Sequence, residues 1–443
     1  MASAHLLLRS FALWTLLVFL NAERHAAAAT TMGRSIHQAK LPHRELADGV
    51  DAADEEGRST AISQADRGDE EVEVVLPEEE EEDEALIPEY NLGTPILHWD
   101  RKRRKWAAEH PEVKQEGLFI LTGTQPWPCA NAQGDHLLLR CFKNKVDYSR
   151  IHGVGLFYNS ALLDAGMPTF WAKLPVVRAT MLAHPEVEWI WWLDADAIIT
   201  DMEFKVPLER YGRYNLVVQG WESLIFEKRS WLGLNAGSFL MRNCQWSLDL
   251  MERWASMGPK APMGDAFQHI LSDFLPDRPR ANPTDDQAAL VYLLIKERHR
   301  WAGKLRVELD YFLSGYWLEL MDTFEATEKR YRQLEQQHEE LMALLEKEGA
   351  VGKEKLMPAM AQAREKHLSG VRVQERRPFI THFTGCQPCS GHHNTIYSKE
   401  QCQNGLVRAL NYADDQVLRT LGYEHPALLL PDVRPLSATA ADT

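Results

Sequence analysis

The stretch Glu188-Trp-Ile-Trp-Trp-Leu-Asp194-Ala-Asp196-Ala197 constrains this chain most, because an apolar run stops abruptly at two carboxylates one residue apart. Continuous hydrophobicity from Trp189 to Leu193 predicts a strand covered on both faces, with the carboxylates at its carboxyl end. In extended backbone, residues two apart point to the same side, so Asp194 and Asp196 can face one hard divalent cation, which prefers oxygen ligands. An Asp-x-Asp tripeptide alone usually marks a solvated turn. Its position after a buried strand changes the reading, because open α/β sheets bind ligands just outside the carboxyl ends of their strands. A cation held there can bridge a nucleotide diphosphate and carry the charge that builds as the diphosphate leaves.

Other apolar runs repeat the pattern. Gly117-Leu-Phe-Ile-Leu-Thr-Gly-Thr124 reads as a first buried strand ending in a glycine loop, 151–158 as a second and 214–218 as a later one, with helical or connecting segments at 168–183 and 208–212. This alternation predicts an α/β fold with a mostly parallel sheet flanked by helices. Leu234-Asn-Ala-Gly-Ser-Phe-Leu-Met241 has a small, flexible centre, which suits either close backbone approach to a ligand or a tight strand bend.

At 443 residues and 45% hydrophobic composition, the chain can build a full core. Its net charge of -15 is misleading, because 51–84 holds 16 acidic residues against Arg58 and Arg67, which leaves the rest near neutral. Such a block of like charge predicts a disordered stem, spanning 22–87. Residues 1–21 contain an apolar run at 6–20, short for a free-standing membrane helix, so a signal anchor and a cleaved signal peptide both fit. Either sends the remainder into the secretory lumen. There, Arg101-Lys-Arg-Arg-Lys105 reads as a solvated helix face, and no nucleic-acid partner is expected.

Six cysteines are an even count in a compartment that permits disulfides, and fifteen full pairings are open. Cys386-x-x-Cys389 lacks a second two-cysteine knuckle, which favours disulfides over structural zinc. The folded region is read as 88–430 with a tail at 431–443. Within it, 321–370 has helical periodicity carried by Phe324, Tyr331, Leu334, Leu341 and Leu345, broken by Gly349, Gly352 and Pro358 before a returning helix at 359–367. This insert is expected to pack on its own domain, with a partner-binding arm as the alternative.

Taken in order, the motifs resemble plant glycosyltransferase family 34, Golgi enzymes that add α-1,6-linked xylose to xyloglucan or α-1,6-linked galactose to galactomannan. The resemblance covers about 122–426. It includes Thr122-Gly123, Pro128-Cys129, Gly134-Asp135-His136, Lys143-Asn-Lys-Val-Asp-Tyr148, Trp171-Ala-Lys-Leu-Pro175, Asp194-Ala-Asp196, Gly220-Trp221, Leu234-Asn-Ala-Gly-Ser-Phe239, Asp285-Asp-Gln287, Gly315-Tyr-Trp317 and Thr381-His-Phe-Thr-Gly-Cys386. The resemblance implies a GT-A fold, a UDP-sugar donor (UDP-xylose or UDP-galactose), Mn2+, and retention of the α configuration. It also implies a β-1,4-glucan or mannan acceptor, and a single-pass type II protein in the Golgi membrane with its catalytic domain in the lumen. A homo- or hetero-oligomer with related transferases or the backbone synthase is a further expectation.

Residue by residue, the resemblance assigns Asp194, Asp196 and His382 to the metal. It assigns Thr122, Gly123, Asp194, Ala195, Asn235, Gly385 and Gln387 to the donor side, and Asp285, Asp286 and Gln287 to the reaction centre and acceptor. Physically, those last carboxylates can accept hydrogen bonds from acceptor hydroxyls, and an aspartate here can also cap a helix over 288–295, two roles that are compatible. Trp221 and Trp317 are candidate stacking platforms for a sugar ribbon, against the commoner role of buried core. Gln387 departs from the xylosyltransferases, which carry a phosphate-neutralising lysine after Gly-Cys. Together with Gln387-Pro-Cys-Ser-Gly391 and His392-His393-Asn394, it looks like the galactomannan-galactosyltransferase branch. Two rival readings are a catalytically silent scaffold subunit of a hemicellulose synthase complex and a secreted glycan-binding module.

Overall fold

The computed structural model describes residues 92–161, 170–258, 261, 264–279, 284–347 and 373–436. The expected anchor (1–21), stem (22–87), returning helix (359–367) and end of the tail lie outside the described residues. Among those described, no helix is long and apolar enough to cross a membrane.

The apolar runs form one six-stranded sheet. Its strands are β1 (Glu116–Gly123), β2 (Gly155–Asn159), β3 (Val187–Leu193), β5 (Leu216–Gly220), β6 (Leu234–Arg242) and β7 (Leu305–Glu308), in the order β2-β1-β3-β6-β5-β7. Neighbours are parallel except where β6 runs antiparallel to both β3 and β5, so the sheet is mixed with five strands in one direction. Side chains alternate between two cores. Leu118, Ile120, Trp189, Trp191 and Leu193 enter one, while Phe119, Leu121, Ile190 and Trp192 enter the other. This is why the sequence is continuously apolar there: both faces of the sheet are covered, and each fully buried Ile or Leu contributes about 2 kcal/mol.

The helices that matter for the site are α1 (Trp99–Glu109), α2 (Ala132–His152), α3 (Lys173–Ala183), α4 (Gln245–Ala255), α5 (Asp286–Lys296), α6 (Phe324–Lys347) and α7 (Lys399–Thr420). A second sheet of three short strands, β4 (Ala197–Ile199), β9 (Ile380–His382) and β8 (Gly315–Tyr316), lies in that order. Its central strand, β9, comes from late in the chain and is antiparallel to β4.

One expected boundary moves. The second strand does not begin at 151, because Ile151 and His152 still belong to α2, which ends at Gly153 in a left-handed conformation (φ 62). Glycine takes that conformation without strain and stops the helix. The start of the insert packs on its own domain, with Phe324 stacked on Tyr412 of α7 at 4.3 Å and Arg377 over the Tyr331 ring at 4.1 Å. Four of the six cysteines pair, as Cys129–Cys389 and Cys386–Cys402, leaving Cys141 and Cys244 free. Cys386 and Cys389 therefore go to different partners and form no zinc knuckle. In the chain-entropy account, closing the 260-residue span between Cys129 and Cys389 is worth ~5 kcal/mol.

Candidate metal centre

The centre is assembled where the two sheets meet. Asp194 follows β3 directly, Asp194–Asp196 form a tight turn in which Ala197 N–H donates to Asp194 O (3.1 Å), and β4 starts at Ala197. In the β4–β9 ladder Ala197 stands opposite His382, which brings the imidazole to the two carboxylates across a long stretch of chain. His382 Nε2 lies 3.4 Å from Asp196 Oδ1 and 3.8 Å from Asp194 Oδ2. One ligand atom from each of the three residues lies within 4.8 Å of the other two, so they can hold one cation. The donor set, two carboxylate oxygens and an imidazole nitrogen, suits a divalent metal.

β6 supplies the floor. Asp194 N–H donates to Gly237 O (2.8 Å), and a Cβ added at Gly237 would stand 2.1 Å from His382 Cε1 and 2.7 Å from Asp194 Oδ2. β6 is irregular at this point, because its register with β5 shifts between Val218, opposite Phe239, and Gln219, opposite Asn235. The small centre of Leu234-Asn-Ala-Gly-Ser therefore meets both expectations, a local strand irregularity and a glycine that admits the ligands.

Two buried lysines support the turn from opposite sides. Lys145 of α2 donates to Ala195 O (3.1 Å) and Ala197 O (2.8 Å), gripping the carbonyls on either side of Asp196. Burial lowers its pKa, against the raising fields of Cys141 and the two aspartates. Beside it, Asn144 pairs with both backbone groups of Ile199 at 2.9 Å, as a neighbouring strand would. Lys173 of α3 lies 2.8 Å from Asp286 Oδ2 and 3.4 Å from Asp194 Oδ1, and donates to Ala236 O at 3.0 Å. Burial alone would lower the Lys173 pKa, but Asp194 and Asp286 outweigh it and raise it. Trp192 Nε1–H also donates to Asp194 Oδ1 (2.7 Å), so that oxygen is held inward while Oδ2 faces the histidine.

The Asp285-Asp286-Gln287 segment opens α5. Asp285 is its N-cap, accepting from Ala288 N–H at 2.7 Å, with its other oxygen 3.2 Å from Arg278 Nε. Asp286 is buried against Lys173, and burial pushes its carboxyl up to about 6. Gln287 accepts from Ala236 N–H (3.2 Å) and donates to Trp231 O (3.0 Å), clamping β6 to the loop before it. Asn235 is likewise engaged within the protein, accepting from Gly237 N–H at 2.8 Å.

Thr122 is fully buried near the end of β1, and at Gly123 a Cβ would meet Asn159 O at 2.5 Å. Ala195 sits in the turn, half-buried. Gly385 takes a left-handed φ of 83, and exposed Gln387 accepts from Ser390 Oγ (2.9 Å) within the loop tied down by Cys389. Trp221 is half-buried. Trp317 is buried, stacked on Phe383 at 5.3 Å with Tyr397 edge-on at 5.0 Å, so its ring faces other aromatic side chains. Sequence reasoning gave no individual role to Lys145, Lys173, Gly237 or Ser314. A lysine flanked by apolar residues in Trp171-Ala-Lys-Leu-Pro175 was the available signal for Lys173.

Residues 114–393 match the model of the galactosyl transferase GMA12/MNN10 family. Galactomannan galactosyltransferase 1 of Cyamopsis tetragonoloba is 48% identical over 351 residues, covering 78% of each chain. Glycosyltransferase 6 of Arabidopsis thaliana is 48% identical over 347 residues, covering 76% of this chain and 78% of the relative. Among solved structures, a glycosyltransferase involved in glycosylation of the major capsid of PBCV-1 aligns with TM-score 0.36 and 12% identity, over 66% of this chain and 98% of that one.

Proposed function

Because the chain belongs to the galactosyl transferase GMA12/MNN10 family and is thereby a glycosyltransferase, we propose that it transfers an α-1,6-linked sugar from a UDP-sugar to a β-1,4-linked glycan backbone with retention of configuration. Galactose onto mannan is the first choice of sugar and acceptor, supported by the galactomannan relative and by an uncharged Gln387. Xylose onto a glucan is the second. We further read the architecture as GT-A, the location as the Golgi membrane with residues 1–21 as anchor, and the cation as Mn2+.

The observation that carries the reading is the convergence of Asp194, Asp196 and His382 beside the carboxyl end of β3. These three residues would hold Mn2+, which when bound offsets the charge of a leaving diphosphate. The protein's own groups do the rest. Lys145 keeps the Asp194–Asp196 turn from opening, and Lys173 with Trp192 keeps Asp194 Oδ2 directed at the ligand site. Asp285 keeps a partly exposed carboxylate edge, which suits it to an acceptor hydroxyl, while Asp286 and Gln287 fix the wall around it. No separate general base is required in a front-face displacement, since the departing β-phosphate can take the acceptor proton. Trp221 serves as an acceptor platform in this reading. Trp317 packs into aromatic core against Phe383 and Tyr397.

The test offers UDP-galactose and UDP-xylose separately with manno- and cello-oligosaccharides, with and without Mn2+, and maps the product linkage. Galactose at O6 of a mannan, lost on chelation, is the expected result. Nucleotide binding without turnover on any acceptor would establish the silent scaffold instead.

A further inference from the structure

We propose that Ser314 and Asn235 are positioning residues that hold His382 in the tautomer whose Nε2 lone pair points at Asp194 and Asp196, and that they thereby set how tightly the centre binds its cation. The second clause rests on the metal reading above; the first does not.

The polarity of each hydrogen bond can be assigned from one end. Gly237 N–H can only donate, and it lies 2.8 Å from Asn235 Oδ1, so that atom is the carboxamide oxygen and an acceptor. Ser314 Oγ is 2.8 Å from the same oxygen and gives it the single hydroxyl proton. With that proton committed, Ser314 Oγ accepts from His382 Nδ1 at 3.0 Å, which places the proton of the neutral ring on Nδ1. Nε2 is then an acceptor facing Asp196 Oδ1 at 3.4 Å and Asp194 Oδ2 at 3.8 Å.

Among the described residues no hydrogen-bond donor serves these three facing acceptor atoms, Nε2 being buried and the two carboxylates partly exposed, and a cation is the ligand that satisfies all three. Ser314 and His382 are 8% and 3% exposed, so water cannot readily replace the relay. The ring also cannot easily swing away from it. Its Cε1 edge lies against the bare backbone of Gly237, where even a methyl group would stand 2.1 Å away. The relay thus joins three separate elements, β6, the turn before β8, and β9, onto one imidazole.

The experiment uses the full chain labelled with 15N-histidine, the His382 signal being identified by its loss in His382→Gln. Ring 15N shifts of the metal-free protein report the tautomer, and the electron paramagnetic resonance of free Mn2+ reports affinity. Wild type is expected to show Nδ1–H only. Ser314→Ala should give mixed tautomers and weaken Mn2+ binding by about 10- to 100-fold, with Ser314→Thr restoring both because it keeps the hydroxyl. Finding Nε2–H in metal-free wild type, or unchanged tautomer and affinity in Ser314→Ala, overturns the proposal. If wild type shows Nδ1–H but binds no Mn2+, the metal reading fails, and with it the affinity clause, while the tautomer role stands.

Discussion

Asp194-Ala-Asp196 and Asp285-Asp286 are both acidic pairs, both touch the surroundings of Lys173, and their carboxylates are committed in opposite ways. In the second pair each carboxylate already has a partner that carries positive charge: Asp285 has Arg278 and a helix N-terminus, and Asp286 has the Lys173 ammonium. In the first, Asp194 Oδ1 is held by Trp192 and Lys173, but Asp194 Oδ2 and Asp196 Oδ1 face an imidazole nitrogen that is itself an acceptor. Among the described residues no lysine or arginine is paired with Asp196. A carboxylate committed to the protein stabilises the fold, whereas one directed at other acceptors awaits a ligand, so the two pairs should respond differently to the same substitution.

The largest effect should come from Asp196→Asn. Turnover of UDP-sugar is expected to fall on the order of 1000-fold, as for loss of a principal charge-stabilising group, while the thermal midpoint holds or rises because crowded acceptors are relieved. A midpoint that drops with activity would erase the distinction between the pairs. Asp286→Ala should do the reverse in kind. It leaves a buried ammonium short of one partner, and about 3 kcal/mol of stability should disappear from a denaturant titration.

Next in size is Gly237→Ala, expected to weaken Mn2+ binding by roughly 10- to 100-fold and to lower the unfolding midpoint through a loss of about 1–3 kcal/mol in stability, since its Cβ would stand 2.1 Å from the buried His382 ring. Unchanged affinity would mean the imidazole has room to retreat, and the strict geometry of the first pair would be lost. The smallest effect concerns Glu328, a carboxylate remote from both motifs. Burial raises its pKa, but Arg377 and Arg332 outweigh this and hold it below the ordinary carboxylate value. Its contribution to stability is therefore present above about pH 4.3 and lost as pH falls through the folded value. Glu328→Gln should flatten that acid limb slightly, and an identical limb would show that the ion pairs on α6 contribute nothing.

How much of this was visible in the residues differs between the two pairs. The Asp-x-Asp turn, the apolar strand before it and the α/β class were legible, because period-two burial on both sheet faces forces an unbroken apolar run. The Asp285 cap was legible as one of two compatible roles, since a capping aspartate and an acceptor-binding aspartate look alike in a string of letters. Trp317 shows the limit from another side: Gly315-Tyr-Trp317 stood out as a motif, yet Phe383 and Tyr397, from distant parts of the chain, cover its ring.

By itself the sequence determined where strands form, which carboxylates end them and which family the motifs resemble, since these depend on local pattern and on residues read in order. The resemblance already grouped His382 with Asp194 and Asp196, and only the tertiary structure decided how β9 brings the imidazole to them, that Lys173 joins the two acidic pairs, that Gly237 leaves room for the ligands and that Ser314 lies against the imidazole Nδ1. Those outcomes depend on the direction of lone pairs and on gaps of an ångström between segments far apart along the chain. Such distances do not exist until β4, β6 and β9 are packed together.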